Sequence, residues 1–187
     1  MTVPSYVDMV GNEHPLRTPR ITREGGMSEI SLAEVKAQLL AVLREAFEGS
    51  SQAWSYFTDN NPEAGIFGTI GSKTAREASV VIGGTTIAAH VHHTAFALEA
   101  SAAWIKGDRS SRDWKESWKT STVDESFWTE LRDRLRRAYV DLRSAIEQHG
   151  MASVEAVGGA IGAVAHAAYH LGAIRQKGAV VRAPGGR

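Results

Sequence analysis

The stretch Gly162 to Gln176 leaves this chain few ways to fold. It reads Gly-Ala-Val-Ala-His-Ala-Ala-Tyr-His-Leu-Gly-Ala-Ile-Arg-Gln, and everything around its two histidines is a good helix former or very small. At about 3.6 residues per turn, His166 and His170 stand just over one turn apart and share a face. Two imidazoles so placed can reach one metal ion at about 2.0–2.1 Å each, and a third ligand must come from another element. The competing role for such a pair is a hydrogen-bonded place in a core. The small residues Gly158, Gly159, Gly162, Ala163 and Ala167 let neighbouring backbones come close, which is how helix bundles bury polar sites.

The rest of the chain supplies partners for that helix. Ser31-Leu-Ala-Glu34 is a capping-box pattern, followed by Val35, Leu39, Leu40, Leu43 and Phe47 at helical spacing. This predicts helix one over 31–48. Trp54, Tyr56 and Phe57 belong to a less regular stretch, and 60–73 reads as loop behind Asn60-Asn61-Pro62. Ile87, Val91, Leu98, Ala102 and Ile105 carry helix two over 85–106. Its histidines His90 and His93 lie three apart and share a face, whereas His92 points elsewhere. The third ligand is therefore expected to be His93 or His90. A polar connection over 107–121 holds Trp114 and Trp118, whose expected job is to pack it onto the helices. Helix three opens at a second capping-box pattern, Thr122-Val-Asp-Glu125, and carries the stripe Phe127, Leu131, Leu135, Leu142 and Ile146 to His149-Gly150. Helix four runs over 153–177. The expected organisation is an irregular N-terminal arm over 1–27, a helical domain over 28–177 and a mobile tail over 178–187. The fold class is all-α, an up-down four-helix bundle with a long connection between helices two and three.

Bulk properties narrow the function. The 187 residues include 21 basic and 21 acidic side chains, so net charge gives no pull toward nucleic acid or an anionic membrane. On helix three Arg132, Arg134, Arg136 and Arg137 alternate with acids, which reads as a solvated face. There is no cysteine. That removes disulfides, thiolate ligands and a cysteine nucleophile, and it fits a reducing, cytoplasmic setting. No signal pattern opens the chain. The apolar window Val157 to Ile174 is interrupted by glycines and histidines, so a buried helix is expected rather than a membrane span. No phosphate loop, nucleophile elbow or HExxH run is present, and alanine stands where a zincin's glutamate would.

The helix-four motif His166-Ala-Ala-Tyr-His170-Leu-Gly-Ala-Ile-Arg-Gln, joined to a histidine on helix two, resembles the DinB-like (YfiT-like) superfamily over residues 31–177. In that family a Thr/Ser-Ile pair stands seven and six residues before the first metal histidine. Thr86-Ile87 stand so before His93. The resemblance thus implies His93, His166 and His170 as metal ligands, with His90 the runner-up on helix two. It also implies a divalent ion, Zn, Ni or Fe, and a homodimer acting on a small-molecule substrate. Characterised members include metal-dependent S-transferases and an isomerase that use a low-molecular-weight thiol. The arm and the Trp114/Trp118 connection are not part of the family pattern and leave the substrate open.

Three functions follow as expectations. The first is a thiol-dependent S-transferase or isomerase, whose sulfur must arrive with a co-substrate because the chain has none to offer as a nucleophile. The second is a metal-dependent hydrolase. The third is a non-catalytic metal or small-molecule binding protein. Tyr169 lies about 100° round the helix from His170, so its expected role is packing.

Overall fold

The computed structural model describes residues 5–7, 13–15, 29–50 and 54–181. Within the arm expected to be irregular, the described residues are two short strands, β1 (Ser5–Val7) and β2 (Glu13–Pro15). They pair antiparallel, with Tyr6 opposite His14. The remaining positions of that arm, and 182–187 of the tail, lie outside the described residues. The hairpin falls in a unit of its own, Met1–Ile30, and the helices fall in the unit Ser31–Arg187.

The helical unit is all-α. Its described elements are α1 (Leu32–Glu48), α2 (Ile66–Gly71), α3 (Ala75–Ala78), α4 (Ile87–Ile105), α5 (Glu125–His149) and α6 (Val154–Val180). α1, α4, α5 and α6 are long, and each packs on two of the others: α4 on α5 and α6, α1 on α5 and α6. Leu43 and Phe47 of α1, Val91 and Leu98 of α4, Leu135 and Leu142 of α5, and Leu171 and Ile174 of α6 share one core. The apolar stripes of the sequence are what these faces bury, at roughly 25 cal/mol per Å² of apolar surface.

The Ser31 capping box forms as expected: its hydroxyl accepts from the Glu34 amide, and Glu34 accepts from the Ser31 amide. The second one does not. The cap of α5 is Asp124, whose Oδ1 accepts the Phe127 amide, so the cap lies two residues past the expected Thr122. Either pattern satisfies the orphan amides of a first turn, and a carboxylate also meets the positive end of the helix dipole.

The stretch read as loop over 60–73 is partly helical. Asn61 caps a single 3-10 turn, Pro62–Ala64, and α2 follows directly. The piece is too short to show a helical period, and it is held by burial of Ile66 and Ile70. Gly49 makes the approach possible. It has φ 74°, and a Cβ there would lie 2.5 Å from the Asn61 carbonyl oxygen. The buried Glu45 ties down the next segment. Its carboxylate accepts the amides of Tyr56, Phe57 and Thr58, each at 2.8 Å, which satisfies a charge that burial would otherwise penalise.

α6 continues to Val180, three residues past the expected end, with Gly178 buried. Among the described residues it is the one helix long and apolar enough to cross a membrane by length and composition, and 39% of its most apolar window is buried inside the protein. The long connection between α4 and α5 contains one 3-10 turn, Glu116–Trp118, which packs on α4.

Candidate metal centre

α4 and α6 lie side by side, and their histidines meet in the seam between them. Thr86 caps α4 through the Ala89 amide, which starts the helix so that His90 and His93 both turn inward and are buried. His166 and His170 come from α6, one turn apart as their spacing requires.

The ring nitrogens converge. His166 Nε2 lies 3.1 Å from His93 Nε2 and 3.1 Å from His170 Nε2. Ligand atoms of the three residues all lie within 4.8 Å of one another, and this is the cluster among the described residues that can hold a metal ion. Two imidazole nitrogens at about 2.05 Å from one ion stand about 3.3 Å apart in a tetrahedron and about 2.9 Å apart at cis positions of an octahedron. The two 3.1 Å separations fall between those limits.

The outer nitrogens explain the ring orientations. His93 Nδ1 is 2.7 Å from Ser117 Oγ, and Ser117 in turn donates to the Trp114 carbonyl at 2.6 Å. The hydroxyl's proton is therefore committed, so His93 Nδ1–H is the donor and Nε2 carries the lone pair. His170 Nδ1 is 2.9 Å from His90 Nδ1, and His90 Nε2 is 3.0 Å from Thr85 Oγ1. With His170 Nδ1–H donating to the His90 Nδ1 lone pair, His90 Nε2–H donates to Thr85 Oγ1. In that tautomer both chains leave Nε2 lone pairs aimed at His166 Nε2. Metal-ligating histidines are held by this kind of outer hydrogen bond.

Burial is the first cause of the ring electrostatics. It pushes His93 down to about 4 and His170 to about 3, helped by repulsion from neighbouring rings, and it lowers His166 as well. His90 also falls to about 4, through burial and then the charge of Lys177. All four are neutral at pH 7, the form that binds metal.

His90, the other helix-two candidate, stands outside the convergent set and props His170. His92 lies 2.8 Å from the Ser117 carbonyl, on the connection. Sequence reading did not find Ser117, Thr85 or the role of the tryptophans. Trp118 stacks on the His93 ring with centroids 4.1 Å apart, and Trp114 lies 6.2 Å from it. Trp128 is the fully buried packing residue, whereas Trp104, Trp114 and Trp118 remain 42%, 49% and 41% exposed. Tyr169 is 70% exposed, with its ring edge-on to His170, and is not a core residue. The turn that presents Thr85 is tight: Gly83 and Gly84 have positive φ, Ile82 bridges to Thr85, and the buried Lys177 donates to the carbonyls of Ile82 and Thr85. Neither a 3-10 turn in a loop nor a two-glycine turn carries a helical period, so no spacing pointed to these groups. Comparison with family models, curated proteins and solved structures gave no match.

Proposed function

We propose that this protein binds a divalent metal ion through His93, His166 and His170 and uses it on a small-molecule substrate. The observation that carries the reading is the convergence of three Nε2 atoms, with the His93 lone pair set by Ser117 and His170 held through its outer nitrogen by His90. Without an ion, His166 Nε2–H can bridge the two other nitrogens; a cation at the centre replaces that proton and takes all three Nε2 atoms as ligands. The ligands are neutral, so a bound ion keeps its full charge and acts as a Lewis acid that lowers the pKa of a coordinated water or thiol.

The chain's own residues favour thiol chemistry over hydrolysis. Ser117, Trp118, His90 and Thr85 surround the triad, and none is a carboxylate base. A thiol sheds its proton far more readily than water and needs such a base less. The stacked Trp118 ring screens His93 from water on one side. The pattern of four long helices, with the connection delivering Ser117, supports a DinB-like up-down four-helix bundle. On that reading the activity is a thiol-dependent S-transfer or isomerisation with Zn, Ni or Fe. We read α6 as a core helix of a cytoplasmic protein, because its inward face spends His166, His170 and Lys177 on contacts within the fold. A homodimer fits its outward face, where Ile161 and Tyr169 are exposed.

The test is elemental analysis of the purified protein after dialysis, alone and with added small thiol. One equivalent of metal is expected in the wild type, and at least about tenfold less in His93→Ala, His166→Ala or His170→Ala, since each removes a ligand. Wild-type protein that retains no metal refutes the reading. Thiol-dependent change in the absorption of a cobalt-loaded sample supports the transferase over the hydrolase. Light scattering that gives one chain of 20.2 kDa refutes the dimer.

A further inference from the structure

A cleft of about 480 Å³ opens along the same α4–α6 seam, one turn beyond the triad. Ala163 and Gly162, three and four residues before His166, form part of its floor, so it lies roughly 5–6 Å along α6 from that ring. Trp114 forms part of its wall, and its ring centroid also lies 6.2 Å from that of His93, so one side chain borders both the cleft and the centre. Trp104 forms another wall. The rim is the start of the α4–α5 connection, with Arg109 and Arg112.

We propose that this cleft binds a carboxylate-bearing small molecule with an aromatic or apolar body, its carboxylate held by Arg109 and Arg112. As the substrate class of the centre, this rests on the metal reading; as a binding site it does not.

The body of the ligand is argued from the walls. Two half-exposed tryptophans facing one crevice leave large apolar area open to water, which burial of a flat apolar group would cover. Trp114 is braced edge-on by Phe96 at 5.3 Å, so its face is held in place. The floor is made by glycine: a Cβ at Gly162 would meet nothing within 4 Å, so the space above it is open.

The charge is argued from the rim. Arg109 lies over the Trp104 ring at 3.9 Å and gives Nη1 to the Trp104 carbonyl at 2.6 Å. Stacking, this bond and a longer one from Nη1 to the Asp108 carbonyl at 3.4 Å fix the guanidinium and leave Nε and Nη2 to face a ligand. Arg112 pairs with Asp108 at 2.8 Å, and the other oxygen of Asp108 accepts the Ser110 amide. Asp108 is thus occupied, two cations face one anion, and a fork of donors remains for an incoming carboxylate. Glu155 on α6 feels the Arg109 charge only after stronger stabilisation by its own backbone and Ser153.

The experiment is calorimetric titration of the full chain with 2-naphthoate and with its neutral amide, 2-naphthamide, on zinc-loaded and on EDTA-dialysed protein. The acid is expected to bind both forms, and the amide about tenfold more weakly, because it forfeits charge-assisted bonds. Arg109→Gln and Arg112→Gln should each weaken the acid and leave the amide unchanged. Gly162→Leu should block both ligands while zinc content and helix content stay at wild-type level. Equal affinity for acid and amide, or indifference to the arginine and Gly162 changes, overturns the proposal. Acid binding that disappears in dialysed protein also overturns it, because the carboxylate then sits on the ion. If the wild type holds no zinc but the acid still binds through the arginines, the cleft stands and the metal reading falls.

Discussion

α5 and α6 are neighbours in sequence and nearly equal in length, 25 and 27 residues, yet they do opposite jobs. α5 buries Trp128, Leu131, Leu135, Leu142 and Ile146 along one stripe and turns Arg and Glu to water. α6 buries four alanines and Gly178, with Val164, Leu171 and Ile174, and spends two inward positions on His170 and Lys177. Large side chains supply transfer free energy; small ones supply proximity. A helix that must bring two imidazoles within bonding distance of a third cannot also be padded with leucine. On the proposed metal reading, the chain separates stability from ligation by giving them different helices.

The largest effect expected from this division is on α5. Leu135 has no exposed surface, so Leu135→Ala should destabilise the fold by about 2–5 kcal/mol, a large part of the roughly 5–15 kcal/mol a domain has. Urea midpoints measure it. Metal affinity of the fraction still folded should be unchanged. A loss of affinity without loss of stability would erase the distinction between the helices.

The next effect is on the centre and leaves the fold alone. His90→Ala should weaken metal binding by roughly 10–100-fold, as loss of an outer partner of a ligating histidine does, and Ser117→Ala should fall in the same range through His93. His92→Ala should weaken binding less than Ser117→Ala, since it loses a bond to the Ser117 backbone carbonyl and none to a ligand ring. Competition against a chromophoric chelator gives the affinities. If His90→Ala abolishes binding while His93→Ala keeps it, His90 is a ligand and the helix-two assignment is off by one turn.

Acid should separate the two helices further. His93 and His170 have folded pKa values of about 4 and 3, below the ordinary 6.5. Below pH 6.5 the unfolded chain takes up protons that the folded chain refuses, so stability falls as pH drops and continues to fall until the folded values are passed. Above pH 6.5 both states are neutral at these rings, and they contribute no slope. Metal-free protein should therefore lose stability between pH 6.5 and about 3. His170→Ala should flatten that slope, whereas Leu135→Ala should shift the whole curve without changing its shape. Denaturant midpoints across pH, measured on dialysed protein, report both.

The division also explains what the sequence could disclose. α5 was legible because its stripe has the period of a helix and large apolar residues mark it. His166 and His170 were legible for the same reason, as a spacing on one helix. Helix period alone left His90 and His93 open, because both face inward on α4, and the family resemblance favoured His93; the 3.1 Å approach of His93 Nε2 to His166 Nε2 separates them, with Thr85 and Ser117 as the outer partners of His90 and His93. Those partners sit in a turn and in a 3-10 turn far along the chain, where no periodicity links them to a histidine. Exposure of Trp104, Trp114 and Trp118 was equally hidden, since a tryptophan in a connection reads as packing until the cleft beside it is seen.

The smallest expected effect tests the small face of α6 residue by residue. Glycine inside a helix is less stable than alanine by roughly 0.5–1 kcal/mol because the unfolded chain has more freedom to lose. At Gly158 an added Cβ meets nothing within 4 Å, so Gly158→Ala should realise that gain in full. At Gly159 the same atom would lie 3.0 Å from Trp104 Cδ1 and 3.3 Å from Ile105 Cγ1. Contact that close requires the indole to shift, and Trp104 is pinned by the guanidinium of Arg109 stacked on its ring. Overpacking of this kind opposes the backbone gain, so Gly159→Ala should be neutral or destabilising. The two substitutions are adjacent and chemically identical, so a common propensity term cancels between them in a thermal or denaturant comparison. Their difference isolates the α4–α6 approach that brings the histidines together. If both stabilise equally, Trp104 gives way freely, the seam is looser than the 3.1 Å nitrogen separations imply, and proximity is not what the small face of α6 is for.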